Sequence, residues 1–368
     1  LELASLGAGV MHSWSIEFAK KFSVPIHVRN SQSDNEGTLI WGQSESDENA
    51  VSGAALTRHE ARITLTNLPH DPQTHPRIFS AIAERKITVD MIVQNVSASD
   101  QVDLAFTVPG DESTRALGAI EPVLEELGGK LRNVDEQVSK LSVVGLGMAQ
   151  QVGVAQRMIR TLAEAQIPIS LISTSEIKIS VLIPRSKALD GLRQLHSAFG
   201  LQNAPAKINP TQWNAPQETV NAVDVIQRLQ QLGMESLVID DISLDESQAA
   251  ITLERVPNSA GTIANLFEAV ADAEVLIDLI VENEIDPAHS SLSFSVPREQ
   301  LDKGVQTVES FAQIYDCGDV QQRRRIAILS VSGIGLRSHT SVAGTMFQAL
   351  ASEAISVIMI NTSEVRVN

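Results

Sequence analysis

Arg62-Ile63-Thr64-Leu65 reappears as Ala250-Ile251-Thr252-Leu253, with the Ile-Thr-Leu core displaced by 188 residues. The same displacement carries Pro69 onto Pro257, Phe79 onto Phe267 and Asn95 onto Asn283. It also carries Phe106-Thr107-Val108-Pro109 onto Phe294-Ser295-Val296-Pro297, Gly147 onto Gly335, and Thr174-Ser175-Glu176 onto Thr362-Ser363-Glu364. One register held over so long a span means an internal duplication, and a duplication decides the architecture before local propensity does. A fainter period of 80 lies inside each half: Ile78, Met158, Leu266 and Met346 align, and four residues later so do Ile82, Leu162, Val270 and Leu350. Spacing of i, i+4 places each couple on one helical face, the pattern of a core stripe.

Each copy reads in the same order. An alternating strand (Arg62 to Leu68, Leu141 to Val144) leads through a polar or glycine-containing turn into a helix. Ile87-Thr88-Val89 and Ile167-Pro168-Ile169 end that helix, because β-branched residues and proline favour extended chain. Strands at Met91 to Val96 and Leu171 to Thr174 precede strands at Val102 to Val108 and Ile177 to Ile183, and a second helix follows, as at Ala188 to Phe199. The order βαββα, with room for a closing strand, predicts an α+β fold of tandem ferredoxin-like (βαββαβ) modules in two pairs. The expected modules are 58–134, 135–201, 220–315 and 320–368. The fourth is incomplete at its C-terminal side, since position 180 maps onto 368 and the helix at 188–199 has no counterpart. Residues 41–57, rich in Ser, Asp, Glu and Gly, read as a connector, and Pro205, Pro210 and Pro216 mark another between the pairs. An extra helix and strand, Val225 to Leu232 and Ser236 to Ile239, precede the second pair, loosely paralleled by Ile16 to Phe22 and Val24 to Val28.

The chain of 368 residues, 43% hydrophobic, can bury several cores. It shows no run of about 18 apolar residues and no basic-then-apolar leader, so neither a membrane span nor a signal peptide is expected. A lone Cys317 excludes an internal disulfide framework and fits a reducing, cytoplasmic setting. A formal charge of −17 repels phosphate backbones, so nucleic acid is not an expected partner. Arg323-Arg324-Arg325 reads as the solvated start of a strand. The eight histidines are scattered and form no ligand cluster with Cys317, so no metal site is expected.

Ile172-Ser173-Thr174-Ser175-Glu176-Ile177-Lys178-Ile179-Ser180 resembles the second ACT module of the aspartokinases, and Val89-Asp90-Met91-Ile92-Val93-Gln94-Asn95-Val96 resembles the first. Leu1-Glu2-Leu3-Ala4-Ser5-Leu6-Gly7-Ala8 with His12, then Val24-Pro25-Ile26-His27-Val28-Arg29 and Asn35-Glu36-Gly37-Thr38-Leu39-Ile40, resemble the last segment of that family's kinase domain. Residues 1–48 are therefore expected to be the end of a catalytic domain and its linker. The second pair resembles a duplicated regulatory region, as in aspartokinases with four ACT modules. The resemblance implies a parent enzyme that uses ATP and Mg to phosphorylate the β-carboxylate of aspartate. It implies lysine and/or threonine as feedback effectors on the ACT modules, the kinase domain of the same chain as a partner, and a homodimer made through ACT modules. The family's Lys-Phe/Tyr-Gly-Gly motif and its glycine-rich nucleotide segments have no match here, nor does a Walker motif. Gly9 stands where many relatives carry a nucleotide-contacting Lys, so no catalytic residue or cofactor is expected in this stretch itself.

An amino-acid effector needs backbone N–H groups for its carboxylate, and the first turn of a helix supplies them together with positive potential. The turns that qualify are 69–73, 147–151, 257–261 and 335–339. Simple helix capping explains the same residues equally well. Relatives read Asp-x-Pro-Gly in the first-module turn; here His70 and Gln73 replace the Asp and Gly, and in the third copy Asn258 and Ala260 replace the Asp and Pro while Gly261 is kept. Gln94-Asn95 and Glu282-Asn283 put polar side chains on strands, as a solvent edge or a module contact would. The expected effector residues are His70, Asp71, Gln73, Gln94 and Asn95 with Ile169, Ser175 and Glu176 in the first pair. In the second pair they are Asn258, Gly261, Glu282 and Asn283 with Val357, Ser363 and Glu364. Each site is thus expected between a first-type turn and a second-type strand of the same pair. A structural dimerisation scaffold without effector binding in one or both pairs is the alternative.

Overall fold

The computed structural model describes residues 24–40, 50–96, 101–145, 153–175, 177–203, 241–286, 288–333, 340–362 and 366–368, with a few single residues between them. A small antiparallel hairpin, β1 (Ile26–Val28) and β2 (Thr38–Ile40), comes first. The first half then runs β3 (Gly53–Pro69), α1 (Thr74–Glu84), β4 (Ile92–Val96), β5 (Gln101–Pro109), α2 (Ser113–Leu127) and β6 (Lys130–Val144). It continues with α3 (Val154–Glu164), β7 (Leu171–Ser175), β8 (Lys178–Pro184) and α4 (Ala188–Ala198). The second half repeats the order as β9 (Asp241–Pro257), α5 (Ala260–Asp272), β10 (Ile280–Asp286), β11 (His289–Pro297), α6 (Leu301–Tyr315), β12 (Val320–Ser332), α7 (Thr340–Ser352) and β13 (Arg366–Val367).

The long strands β3 and β6 lie side by side, and each serves two repeats. The later part of β3 joins β5, β4 and the start of β6 in the order β4-β5-β3-β6, a ferredoxin-like sheet. The later part of β6 joins β8 and β7, and the strand that closes this second sheet is Gly53 to Thr57, the beginning of β3. Register breaks between Thr57 and Arg62 divide the two parts, as bulges do when a strand must bend. The expected connector at 41–57 therefore ends earlier than the sequence implied. Gly53-Ala54-Ala55-Leu56-Thr57 carries little intrinsic strand preference and is held extended by pairing with Lys140 to Val144. In the second half β9 and β12 play the same double role, with Asp241 to Asp245 paired to Ile328 to Ser332. Most of Ile16 to Phe22, the segment 204–219, Val225 to Leu232 and most of Ser236 to Ile239 fall outside the described residues.

One helix ending recurs four times. Lys86, Gln166, Glu274 and Ala354 occupy equivalent positions, and each takes a positive φ of 50 to 56°. The next amide reaches back to close the turn: Ile87 to Ile82, Ile167 to Leu162, Val275 to Val270 and Ile355 to Leu350. This is the left-handed C-terminal cap with its apolar follower, and it aims the chain into the next strand.

The two halves pack against each other crosswise. Helix α1 of the first repeat meets α7 of the fourth, and α3 of the second meets α5 of the third. One core accordingly joins Ile63, Phe79 and Phe106 to Phe347 and Ile360. Another joins Leu141, Met158 and Ile172 to Ile251, Phe267 and Phe294. Strands β7 and β10 pair antiparallel, so the sheet runs β13-β12-β9-β11-β10-β7-β8-β6-β3-β5-β4 through both halves. A smaller cluster of Met91, Val93, Leu171, Leu182 and Val281, with Met359 against it, fills the space where β4 approaches β7 and β10.

Candidate functional site

Both cross-half interfaces are closed by a threonine. At the end of β7, Thr174 donates its hydroxyl to the Asp278 carbonyl at 2.9 Å and accepts the Ile280 N–H at 3.0 Å. At the other interface Thr362 donates to the Asp90 carbonyl and accepts the Ile92 N–H at 3.0 Å. All three residue types involved are related by the 188-residue displacement, so the two latches are copies of one another.

Beside the Thr174 latch lies a cavity of about 380 Å³, within the size range of small-ligand pockets. One wall is the turn into α3, with Met148, Gly153, Val154, Ala155 and Gln156. The facing wall is the segment after α5, Val275-Leu276-Ile277-Asp278 and Ile280, with Phe267 and Ala271 behind it. Thr174 and Ser175 line it from the end of β7, and Ile179, Gln248 and Pro297 complete the lining. Gly153 caps α3 in a left-handed conformation, φ 94°, with no side-chain cap and no acidic residue in the first turn. The first intrahelical bond runs from Arg157 N–H to Gly153 at 2.8 Å, so the amides of Val154, Ala155 and Gln156 precede it at the positive end of the helix. An anion fits that end, and backbone carbonyls on the facing segment suit a cation. Across the outside of the helix pair, Arg160 is bound to Glu268.

The corresponding first-repeat turn is full. Where Ala155 stands in the second repeat, the first has His75, which is buried and bonded through Nε2 to Gln94 Oε1. Gln94 in turn donates its Nε2 hydrogen to the Val357 carbonyl at 2.6 Å, so Oε1 is left to accept and His75 carries its hydrogen on Nε2. The His75 ring packs at 5.3 Å from Phe347, which stacks on Phe79 at 5.4 Å. Burial pushes the His75 pKa down to about 4; the Gln94 bond opposes this and His70 adds to it.

The expected residues are distributed unevenly over this arrangement. Ser175 lines the cavity, its hydroxyl 3.4 Å from the Lys178 carbonyl. Ile169 is buried in the core, and its third-repeat counterpart Ile277 lines the cavity instead. Gln73 is exposed at the start of α1, and its second-repeat counterpart Gly153 is in the lining. Asp71 accepts the Gln73 amide at 2.8 Å, capping its own turn, and His70 sits half-buried beside it. In the third repeat Ser259 caps Thr262 at 3.1 Å, while Asn258 and Gly261 face solvent. Gln94 is fully buried and meets Val357, a partner from the other pair, and Glu282 is buried on β10. The backbones of Asn95 and Asn283 pair with Asp103 and Ser291. Glu176, Ser363 and Glu364 lie outside the described residues. In place of the within-pair combination of Gln73 and Gln94 with Ile169 and Ser175, the structure sets Gln94 against Val357 of the other pair. The second combination, Asn258, Gly261 and Glu282 with Val357 and Ser363, includes Ser363, which lies outside the described residues. Strands from opposite halves pair, and the roomy turn is second-type because it carries alanine where the first has histidine. Thr174, Thr362, His75 and the segment 275–278 were missed. The twice-occurring Thr-Ser-Glu was the signal for the threonines.

Among the described residues no group of three or more His, Cys, Asp or Glu side chains is placed to hold a metal, and no helix is long and apolar enough to cross a membrane.

Tandem ferredoxin-like modules pair side by side here, with a cavity of small-ligand size at the pairing interface. The ACT domain family matches residues 141–199 and 329–368. The chain is 41% identical over 206 residues to an aspartokinase of Thermus thermophilus, covering 55% of this chain and 51% of that one. It is 40% identical over 208 residues to an aspartate kinase of Stutzerimonas stutzeri, covering 56% and 50%. Among solved structures, the aspartate kinase of Synechocystis superposes with a TM-score of 0.76 at 27% identity, over 100% of this chain and 61% of that one. The chain thus carries matches to the ACT domain family and is similar in sequence to part of the aspartokinases. It spans about half the length of the relatives it matches in sequence.

Proposed function

We propose that this chain is the effector-sensing part of an aspartate kinase, built from four ACT modules, and that lysine or threonine binds in the cavity between α3 and the segment after α5. The observation that carries the reading is the cavity itself: about 380 Å³, an uncapped helix N-terminus on one wall, carbonyls and Asp278 on the other. The α-carboxylate takes the helix amides, the ammonium takes the opposite carbonyls, and the side chain lies toward Phe267 and Ile277. Binding favours one arrangement of the modules over another, and that difference in affinity is what a kinase domain on the same chain reads. The parent enzyme would use ATP and Mg to form the acyl phosphate of aspartate in the cytoplasm. The 368-residue chain alone would not, because the nucleotide motifs have no match in it. ATP-dependent acyl-phosphate formation by the purified chain would contradict that.

A scaffold role is favoured at one place, the first-repeat turn, where His75, Gln94 and Phe347 occupy the equivalent space. The experiment is calorimetry with L-lysine and L-threonine on the parent, on Ala155→His, which copies the filled turn, and on Ser175→Phe. Binding to the parent and at least tenfold weaker binding to both folded variants is expected. Undiminished binding to the variants would move the site elsewhere; no binding to the parent would leave a scaffold.

A further inference from the structure

Ser173 and Asn361 occupy the same position in the duplicated sequence, 188 residues apart, and in the folded chain they touch. The Ser173 hydroxyl donates to Asn361 Oδ1 and lies 3.1 Å from the Thr362 carbonyl. Asn361 Nδ2 donates to the Thr174 carbonyl. Both residues are 1% exposed. Each is the chain neighbour of a latch threonine. The bonds therefore form an unbroken path from Asp278 and Ile280, through Thr174, across Asn361 and Ser173, to Thr362 and on to Asp90 and Ile92. Beyond Asp90 the path reaches β6, since its carboxylate holds the buried Lys140 ammonium. One end of this path lies in the cavity wall and the other in the filled interface.

We propose that the Ser173–Asn361 bridge makes the two cross-half interfaces respond together, with Asn361 a positioning residue that holds Thr174 in the cavity wall from the opposite half of the chain. The physical reason is that a buried polar network is stable only when all its members are bonded. If Thr174 shifts, Asn361 Nδ2 loses its acceptor in a place water does not reach, and the cost is avoided only if Asn361 and its neighbour Thr362 shift too. The ligand part of this inference rests on the effector reading above; the coupling itself does not.

The test is hydrogen exchange on the whole chain, following the Ile92 and Ile280 amides relative to other amides of β3 and β5. Thr174→Val removes the acceptor of Ile280 N–H. It is expected to accelerate Ile92 exchange, at the far interface, at least tenfold over the reference amides, and to do so no longer in an Asn361→Ala background. Ile92 exchange that ignores Thr174→Val while Asn361 is intact overturns the proposal. Should Thr174→Val not fold, Ser173→Ala leaves both latches in place; it should loosen Ile92 and Ile280 together, and no change at either overturns the proposal equally. In a second arm, whichever of L-lysine and L-threonine binds the parent should protect Ile92 as well as Ile280. In Asn361→Ala it should bind about tenfold more weakly and leave Ile92 unprotected, whereas retained Ile92 protection there overturns the proposal. If neither amino acid binds the parent but the substitutions behave as expected, the effector reading fails and the bridge stands.

Discussion

At the scale of single residues, the interfaces depend on side chains that complete a neighbour's backbone. Ile280 N–H and Ile92 N–H find their acceptors in Thr174 and Thr362 rather than in a strand ladder. Valine has the same shape without the acceptor, so Thr174→Val or Thr362→Val should each destabilise the chain by about 1–3 kcal/mol, the cost of a buried donor left unpaired. Urea denaturation of both variants checks this, and a change below about 0.5 kcal/mol in either would mean that the amide finds another partner. His75 gives a second expectation, in pH. Its folded pKa of about 4 lies below the usual value of 6.5, so the folded protein holds it neutral while the unfolded chain protonates it first. Its contribution is fully present above pH 6.5 and is lost as the pH falls toward 4, because in that window the unfolded state binds more protons. Over the whole window the loss is on the order of 3 kcal/mol. His75→Gln, which can still bond Gln94 and does not titrate there, should flatten the urea midpoint between those limits. Parent and variant curves that stay parallel would assign the acid sensitivity to carboxylates instead.

At the scale of elements, what was legible followed the duplicated apolar positions. The strands at Val102 to Val108 and Ile177 to Ile183 and the helix at Ala188 to Phe199 fell within a residue or two of their observed bounds, because periodicity there reports burial. Gly53 to Thr57 was misread, since its strand is imposed by a partner some ninety residues away that no local window contains. The grouping of site residues within one pair departed from the structure for a related reason. Gly153, Ile277 and Ser175, which line the cavity, share repeat positions with expected residues, but which module faces which is decided by packing of α1 on α7 and α3 on α5. The ends of α1 and α3 were visible only as Ile-Thr-Val and Ile-Pro-Ile, not as the left-handed residue that precedes them there and at the ends of α5 and α7. That residue is never glycine here, though a non-glycine left-handed conformation costs about 1–2 kcal/mol. Glu274→Gly relieves the strain and gives back up to about 1 kcal/mol through the freer unfolded chain. A net stabilisation of about 0.5–1 kcal/mol is expected from thermal or urea unfolding; a destabilised variant would show that Glu274 does something in the turn besides bend it.

At the scale of the whole molecule, the duplication supplies within one chain what a two-fold dimer supplies with two. In a symmetric dimer, position i of one copy meets j of the other and j meets i. Here Thr174 meets Asp278 and Ile280, and Thr362 meets Asp90 and Ile92, the same relation between halves of one sequence. On the axis of such a dimer a residue meets itself. In this chain that place holds Ser173 against Asn361, two different residues whose donors and acceptors complement each other. Each half is thereby fitted to the other half rather than to a copy of itself. The homodimer through ACT modules that the sequence suggested is not needed to close either interface. This has a consequence in concentration. An interface between copies stabilises by mass action, so its melting temperature rises with protein concentration, whereas an interface within a chain does not respond. Thermal unfolding of this chain followed over a hundredfold range of concentration should therefore keep one midpoint, in the absence of added amino acids. A midpoint that climbs by several degrees over that range would mean that a second copy, and not the other half of the same chain, completes the module pairs.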